Sequence, residues 1–182
     1  MGNALSLLTE AQLQEYLNQT PFTKPELGKI LQKYATYDKS GKNVQGIHPE
    51  ILENMPEFLL NPLASCIIAH FTDDSTGLIF PANWISMFSD LSSKAHIDQK
   101  RALLWNLVDY HGTGKLQYEE LWRFYKFLFG VALTEDQILE LVIEKLHDPG
   151  LQEKGELSRE EWDNSVSDRE IIERLTIDFN YE

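Results

Sequence analysis

Apolar residues recur at the spacing of one helical face on both sides of two short polar segments near the middle of the chain. Around the first segment they are Ala64, Ile67, Ile68 and Phe71, then Trp84, Met87, Phe88 and Leu91. Around the second segment they are Leu104, Trp105 and Val108, then Leu121, Phe124, Tyr125 and Leu128. The pattern predicts two pairs of amphipathic helices, each pair joined by a polar loop.

The two polar loops share a further pattern of glycine and aliphatic residues. Gly77 and Gly114 stand at position six of loops that begin at 72 and 109, and Ile79 and Leu116 stand at position eight. The EF-hand calcium loop of about twelve residues requires a glycine at position six for its sharp turn. An aliphatic residue at position eight is typical of paired loops that form a short ladder. We therefore predict two EF-hand-like units here.

Weaker copies of the same unit flank this pair. Upstream, Leu27, Ile30, Tyr34 and Tyr37 lead into a loop that begins at Asp38. Downstream, Leu139, Val142, Ile143 and Leu146 lead into a longer loop from His147 to Glu161 that contains Gly155 and Leu157. The loop starts at 38, 72, 109 and 147 recur every 34 to 38 residues. We predict an all-α fold of four EF-hand-like helix-loop-helix units, paired in two lobes, with short β ladders between paired loops.

The repeat divides the chain into four segments. An N-terminal segment, 1–23, contains a short helix that begins at Thr9 with Gln12 in the capping-box position, and Thr134 and Gln137 repeat this signature. The N-lobe covers 24–93, the C-lobe covers 94–167, and Ser92 to Lys94 form the joint. A C-terminal extension, 168–182, carries the apolar residues Ile171, Ile172, Leu175, Ile177 and Phe179.

Composition excludes several classes of protein. The formal net charge of −13 is opposite to what phosphate binding needs, which argues against a nucleic-acid partner. A single cysteine, Cys66, allows no intrachain disulfide, and we find neither a membrane-spanning run nor a secretory signal. Gly2 with Ser6 fits the N-myristoylation pattern. This predicts a cytoplasmic protein that is peripheral at a membrane.

The sequence offers little for catalysis. Cys66 and His70 are four residues apart on one predicted helix and could face each other as nucleophile and base. No glycine-rich oxyanion or phosphate loop accompanies them, and a small buried thiol is the commoner explanation. We predict that the protein is not an enzyme.

Three of the four loops lack the oxygen ligands that calcium requires. Calcium binds six to eight oxygens, usually with a bidentate carboxylate at position twelve. The first loop has Lys42 at a ligand position, and the second ends in Asn83. The fourth has Gln152, Lys154 and an altered length. We predict that these three loops are free of metal.

The third loop keeps candidate ligands for one weakly bound calcium or magnesium ion. They are Asp109, Thr113, Gln117 and Glu120. Position three is His111, whose nitrogen suits softer metals better than calcium. The other interpretation is a structural loop that never binds an ion.

Short motifs along the whole chain resemble a known group of EF-hand proteins. They lie at 13–16, 20–23, 55–57, 61–62 and 85–89, where the chain reads LQEY, TPFT, MPE, NP and ISMFS. With Met1-Gly2 and the C-terminal extension, they resemble calcineurin B, the calcineurin B homologous proteins, and the calcium- and integrin-binding (CIB) proteins. The Glu-Tyr, Phe-Thr and Met-Phe-Ser elements look closest to the CIB branch, whereas the tail is similar to calcineurin B.

The resemblance implies a non-enzymatic regulatory subunit or adaptor. Members of the group are often myristoylated and hold an amphipathic helix from a larger enzyme, transporter, channel or receptor. Most fill their third and fourth loops with calcium or magnesium, so His111 and the expanded fourth loop here suggest a constitutive scaffold. A calcium or magnesium sensor acting through the third loop and a light-chain-like structural subunit are the alternatives.

Three aromatic residues after the third loop are candidates for contact with the partner. Trp122, Phe127 and Phe129 are not needed for packing within the lobe, and surplus aromatics beside a groove suit the recognition of a helix. The alternative is that these residues pack against the other lobe or against the C-terminal tail.

Overall fold

The computed structural model describes residues 4–40 and 43–178, which are mainly helical. The elements are a 3-10 helix (Ala4–Leu7), α1 (Glu10–Gln19), α2 (Lys24–Tyr37), α3 (Pro49–Glu53), α4 (Ala64–His70), α5 (Pro81–Leu91), α6 (Ile97–Val108), β1 (Lys115–Leu116), α7 (Tyr118–Phe129), α8 (Glu135–Leu146), β2 (Leu157–Ser158), α9 (Arg159–Ser165) and α10 (Asp168–Leu175). The predicted all-α fold with short loop ladders is confirmed.

Both predicted capping boxes are present. The Gln12 N–H donates to Thr9 Oγ1 at 3.2 Å, and the Thr9 N–H donates to Gln12 Oε1 at 2.9 Å. Thr134 and Gln137 make the same pair of bonds at the start of α8. These reciprocal bonds satisfy backbone donors that the first turn of a helix leaves without partners, so α1 and α8 begin where the sequence predicts.

The chain forms two compact units, Met1–His96 with Leu175–Glu182, and Ile97–Arg174. We call them the first and second units. The division lies after His96, three residues beyond the boundary expected from the sequence, in the segment that joins α5 to α6. The segment 168–182 was expected as one tail, but of its described residues 168–174 belong to the second unit and 175–178 to the first. Ile171, Leu175 and Ile177 are all buried.

In the first unit, two loops pair and a tryptophan fills the core. Ile47 and Ile79 exchange backbone hydrogen bonds of 2.9 Å in both directions. The fully buried Trp84 donates from Nε1 to the Ile30 carbonyl at 3.0 Å and stacks on Phe88 with ring centres 4.7 Å apart. Sequence reasoning did not identify Ile47, because Gly46 stands directly before it rather than two positions earlier as in the second loop.

The C-terminal tail completes this unit. The Ile177 N–H donates to the Leu91 carbonyl at 2.9 Å, and Leu175 is fully buried. Phe179, predicted as a further apolar residue of the tail, lies outside the described residues.

The second unit repeats the arrangement of paired loops. Leu116 and Leu157 are partners in the antiparallel ladder of β1 and β2, as their loop positions predict. Trp162 is buried edge-on against Phe124, with ring centres 5.5 Å apart. Leu116, Leu157 and Trp162 thus anchor both loops to one core.

The predicted apolar face of α8 is partly wrong. Ile143 was expected in the core, but it is 45% exposed. The buried residues of this helix are Ile138, Val142 and Leu146, which follow one another at four-residue steps and therefore form a single stripe. Leu139, the other member of the predicted face beside Ile143, is only half-buried.

Candidate functional site

The third loop is organised around the Asp109 carboxylate. Asp109 Oδ1 accepts a hydrogen bond from the Thr113 N–H, and Oδ2 accepts one from the Gly114 N–H, both at 2.9 Å. Asp109 is only 8% exposed, and Gly114 adopts a φ of 78°, which glycine reaches at little cost. The aspartate therefore closes the loop using donors of the chain itself.

His111 contacts the second carboxylate of the loop, that of Glu120. Its Nδ1 lies 2.7 Å from Glu120 Oε1, while Glu120 Oε2 accepts the Gln117 N–H at 3.0 Å. Burial alone would raise the pKa of Glu120, but the hydrogen bonds from His111 and the backbone lower it overall. Glu120 is thus an ionised, buried carboxylate whose partner is an imidazole.

The other predicted ligands, Thr113 and Gln117, also make hydrogen bonds within the protein. The Thr113 hydroxyl donates to the Lys115 carbonyl at 2.9 Å, and the Gln117 side-chain amide donates to Glu156 Oε2 at 3.4 Å. Within residues 4–40 and 43–178, no group of three or more Asp, Glu, His or Cys side chains could hold a metal ion. Calcium needs six to eight oxygens, so an ion bound in this loop would have to displace His111 from the Glu120 carboxylate.

The first loop also uses its acid for internal hydrogen bonds. Asp38 Oδ1 accepts the Ser40 N–H at 2.9 Å, and Oδ2 accepts the N–H groups of Gln45 and Gly46 at 3.0 and 3.1 Å. Burial raises the pKa of Asp38, but these bonds together with the Ser40 hydroxyl lower it overall. Lys42, predicted to oppose a cation here, lies outside the described residues.

The second loop is anchored by a residue that sequence reasoning missed. Asp73 Oδ1 accepts the Thr76 N–H at 2.9 Å and the Ser75 hydroxyl at 2.6 Å. Thr72, which was aligned with position one, donates its hydroxyl back to the Ile68 carbonyl at 2.7 Å. The sequence Asp73-Asp74-Ser75-Thr76 contains the signal, since an aspartate commonly bonds to backbone two or three residues later.

In the second, third and fourth loops, the last residue of the loop caps the helix that follows. Asn83 accepts the Phe80 N–H at 3.3 Å at the start of α5. Glu161 accepts the Ser158 N–H at 2.7 Å at the start of α9, and its other oxygen accepts the Gln152 N–H at 2.7 Å. Glu120 does the same for α7 through Gln117. The loops are held by the chain's own donors.

Helix α7 carries the three aromatic residues predicted to contact a partner. Leu121 and Phe124 are buried, whereas Trp122, Phe127 and Phe129 are only half-buried. Beyond the helix, Val131 is fully exposed, and Ile143 on α8, which packs against α7, is also exposed. We use the name α7 face for this set of half-buried and exposed apolar residues: Trp122, Phe127, Phe129, Val131 and Ile143.

Two cations lie over the rings of the α7 face. Lys126 Nζ is 4.5 Å from the Trp122 ring centre and 2.7 Å from Glu135 Oε1. The Arg123 guanidinium is 4.2 Å from the ring centre of Tyr110 and 5.4 Å from that of Phe127. Such contacts are favourable because the ring face carries partial negative charge.

The remaining candidates are the pair considered for catalysis, Cys66 and His70, and the lipidation site, Gly2. Cys66 is buried, and the His70 ring lies edge-on to Phe71 with centres 4.9 Å apart. Burial lowers the pKa of His70, which disfavours its charged form. Gly2, the predicted site of lipidation, lies outside the described residues, and within those residues no helix has the length and apolar character to span a bilayer.

Curated proteins of two kinds are similar to the chain over nearly its full length. The type 1 calcineurin B protein of Dictyostelium discoideum is 24% identical over 181 residues, which cover 99% of both chains. Calcium and integrin-binding family member 2 of Danio rerio is 26% identical over 175 residues, which cover 92% of this chain and 93% of the relative. The human family member 3 is likewise 26% identical over 174 residues, with 91% and 92% covered.

No family model matches the chain. The similarity nevertheless runs through both units and agrees with the paired loops of the structure and the motifs in the sequence. The homologues of this chain are therefore calcineurin B subunits and calcium and integrin-binding proteins, the EF-hand group that its sequence motifs resemble.

Proposed function

We propose that the protein is a non-enzymatic regulatory subunit or adaptor that holds an amphipathic helix of a larger, membrane-associated partner. The observation that carries this proposal is the α7 face, where Trp122, Phe127 and Phe129 stay half-buried beside the exposed Val131. An apolar face of this kind suits a helix that inserts its own apolar side chains.

The relatives support a role in binding another protein. The calcineurin B relatives are by name subunits, and the CIB relatives are named for binding calcium and integrin. Neither name describes an enzyme on its own. We infer the same kind of role for this chain, with an enzyme, transporter, channel or receptor as the larger partner.

The hydrogen bonds inside the loops support a scaffold that works without an ion. Asp38, Asp73 and Asp109 each accept backbone N–H groups of their own loops, and Glu120 is paired with His111. At most one calcium or magnesium ion would bind weakly at Asp109 and Glu120. The sensor alternative requires that ion to displace His111.

Membrane association rests on the N-terminal sequence. Gly2 followed by Ser6 fits N-myristoylation, which would place the protein at the cytoplasmic face of a membrane. One acyl chain binds a bilayer only marginally, so the partner would supply the second anchor. Intact mass spectrometry of the native protein tests this, because an unmodified Gly2 would remove the anchor from the proposal.

Binding of a designed peptide tests the helix-holding function. The probe is a blocked amphipathic peptide of about 18 residues with one Leu/Trp face and uncharged flanks, long enough to form several helical turns. We expect wild-type protein to bind it, and Trp122→Ala and Phe127→Ala to weaken binding by about tenfold or more, as is usual for buried aromatic anchors.

Leu60→Ala is the matched control, because Leu60 is an apolar residue 96% exposed in the first unit. This variant should bind like wild type. No binding by the wild type, or unchanged binding by both aromatic variants, would contradict the proposal.

A further inference from the structure

We propose that Arg123 is a specificity-determining residue that selects an acidic side chain on the partner helix. This inference rests on the proposed function and deepens it, since it assigns a charge to the partner beside its apolar face. The occupant is a helix that carries an Asp or Glu carboxylate at the flank of its apolar side chains.

The first observation is the distribution of charge along the chain. The chain has 29 acidic residues, yet none lies between Leu121 and Thr134. That stretch covers most of α7 and the loop after it, and it contains Arg123 and Lys126. Trp122, Phe127, Phe129 and Val131 therefore lie in a segment whose only charged residues are cationic, in a protein whose formal net charge is −13.

The second observation is that the two cations differ in their partners. Lys126 is paired with Glu135 at 2.7 Å, so its charge is already compensated. Arg123 forms no ion pair with any residue of the described chain. The nearby Glu119, four residues earlier on α7, instead accepts the Tyr110 hydroxyl at 3.0 Å.

The third observation is the preorganisation of the guanidinium. Arg123 lies over the rings of Tyr110 and Phe127, at 4.2 and 5.4 Å from their centres, and is half-buried. Contact with two rings limits the rotamers of a long side chain, while the N–H donors at the guanidinium edge stay available. A planar guanidinium held in this way matches a carboxylate with two parallel hydrogen bonds.

The position of Arg123 links charge recognition to the apolar contact. Phe127, one of the rings it touches, belongs to the α7 face, and Trp122 is the adjacent residue in sequence. A partner helix seated on that face would bring residues one turn from its apolar anchors within reach of Arg123. The carboxylate would then set the register and direction of the partner helix.

Three peptides that differ only in their flanking residues test the inference. They share the Leu/Trp face described above and carry Glu, Gln or Lys at the two positions that flank it. Affinity is measured by calorimetry at low and high salt. Wild type should bind the Glu peptide roughly tenfold more tightly than the Gln peptide, the usual strength of a hydrogen bond to a charged group. High salt should reduce this preference.

Variants of Arg123 distinguish a direct contact between its guanidinium and the peptide carboxylate from the effect of the protein's net charge. Since the net charge of −13 repels acidic peptides, Arg123→Gln should bind the Gln peptide more tightly than the Glu peptide. Arg123→Lys should keep only part of the preference, because an ammonium group lacks the planar fork. Lys154→Gln, which removes an exposed cation from the fourth loop, should behave like wild type.

The outcomes distinguish this inference from the function on which it rests. Equal affinity of wild type for the Glu and Gln peptides, or a preference for Glu retained in Arg123→Gln, would overturn the role of Arg123 while helix binding stands. Tighter binding of the Lys peptide would also overturn it. Failure of wild type to bind all three peptides would overturn both proposals.

Discussion

At the scale of single residues, the third loop shows how one side chain changes the chemistry of a site. Position three of a calcium loop normally supplies an oxygen ligand. Here His111 stands at that position and contacts Glu120 Oε1, so an imidazole nitrogen lies at the carboxylate that would otherwise coordinate the ion. The loop keeps its fold because Asp109 still accepts the Thr113 and Gly114 N–H groups.

Replacing this imidazole with a carboxylate should strengthen calcium binding. We expect His111→Asp to bind calcium at least tenfold more tightly than wild type, with a dissociation constant of roughly 10⁻⁴ M or lower, because the loop then presents three carboxylates. Titration calorimetry of both proteins measures the difference. In the double variant with Glu120→Gln the gain should disappear, and equal affinities of wild type and His111→Asp would contradict the role given to the histidine.

At the scale of elements, paired loops hold the helices of each unit together. In the first unit the Ile47–Ile79 bridge requires Gly46 to pass close to Leu78. Gly46 has a φ of 88°, and a Cβ atom added to it would lie 2.9 Å from Leu78 Cβ. Gly77, in the partner loop, has a φ of 69° but nothing within 4 Å of such an atom. A side chain at Gly77 would therefore meet only backbone strain, whereas one at Gly46 would meet the same strain and a steric clash.

Alanine at these two positions should have unequal effects on the free energy of unfolding. Gly77→Ala should destabilise the first unit by about 1 kcal/mol, through left-handed strain alone. Gly46→Ala should cost about 2 to 4 kcal/mol, because overpacking adds to the same strain. Urea unfolding followed by circular dichroism measures both variants. Equal destabilisation would show that contact with Leu78 does not restrict Gly46.

At the scale of the whole molecule, each unit contains two helix-loop-helix repeats, and α10 is divided between the units after Arg174. Residues 175–178 belong to the first unit, although the rest of its described residues precede residue 97. Leu175 is fully buried, and the Ile177 N–H extends the contact to the Leu91 carbonyl. Leu175 and Ile177 are therefore part of a core whose other members lie far away in sequence.

Replacing Leu175 with alanine should lower the stability of the first unit selectively. Leu175→Ala removes a fully buried side chain and should destabilise the unit by about 2 to 5 kcal/mol. Ile172→Ala is the control, since Ile172 is 47% exposed on the same helix and should change stability by about 0.5 kcal/mol or less. Hydrogen exchange of α2 and α5 amides provides the measurement. Unchanged protection in Leu175→Ala would show that the tail adds little to this core.

The sequence alone determined the repeat and the starts of α1 and α8. Helical periodicity, the glycines of the loops and the capping boxes are local features, so four helix-loop-helix units could be predicted from neighbouring residues. The aliphatic partners Leu116 and Leu157 followed from their loop position, two residues after Gly114 and Gly155. The half-buried aromatics of α7 were also identified, since they exceeded what one apolar stripe can bury.

Only the tertiary structure decided which hydrogen-bonding and charged groups contact one another. The pairing of His111 with Glu120, the anchoring of the second loop by Asp73, and the exposure of Ile143 depend on side-chain direction and on neighbouring elements. The rings of Tyr110 and Phe127 beside Arg123 come from different elements, the third loop and α7. Such contacts join residues that no single period relates, and for that physical reason the sequence pattern could name the aromatic face but not the cation that lies over it.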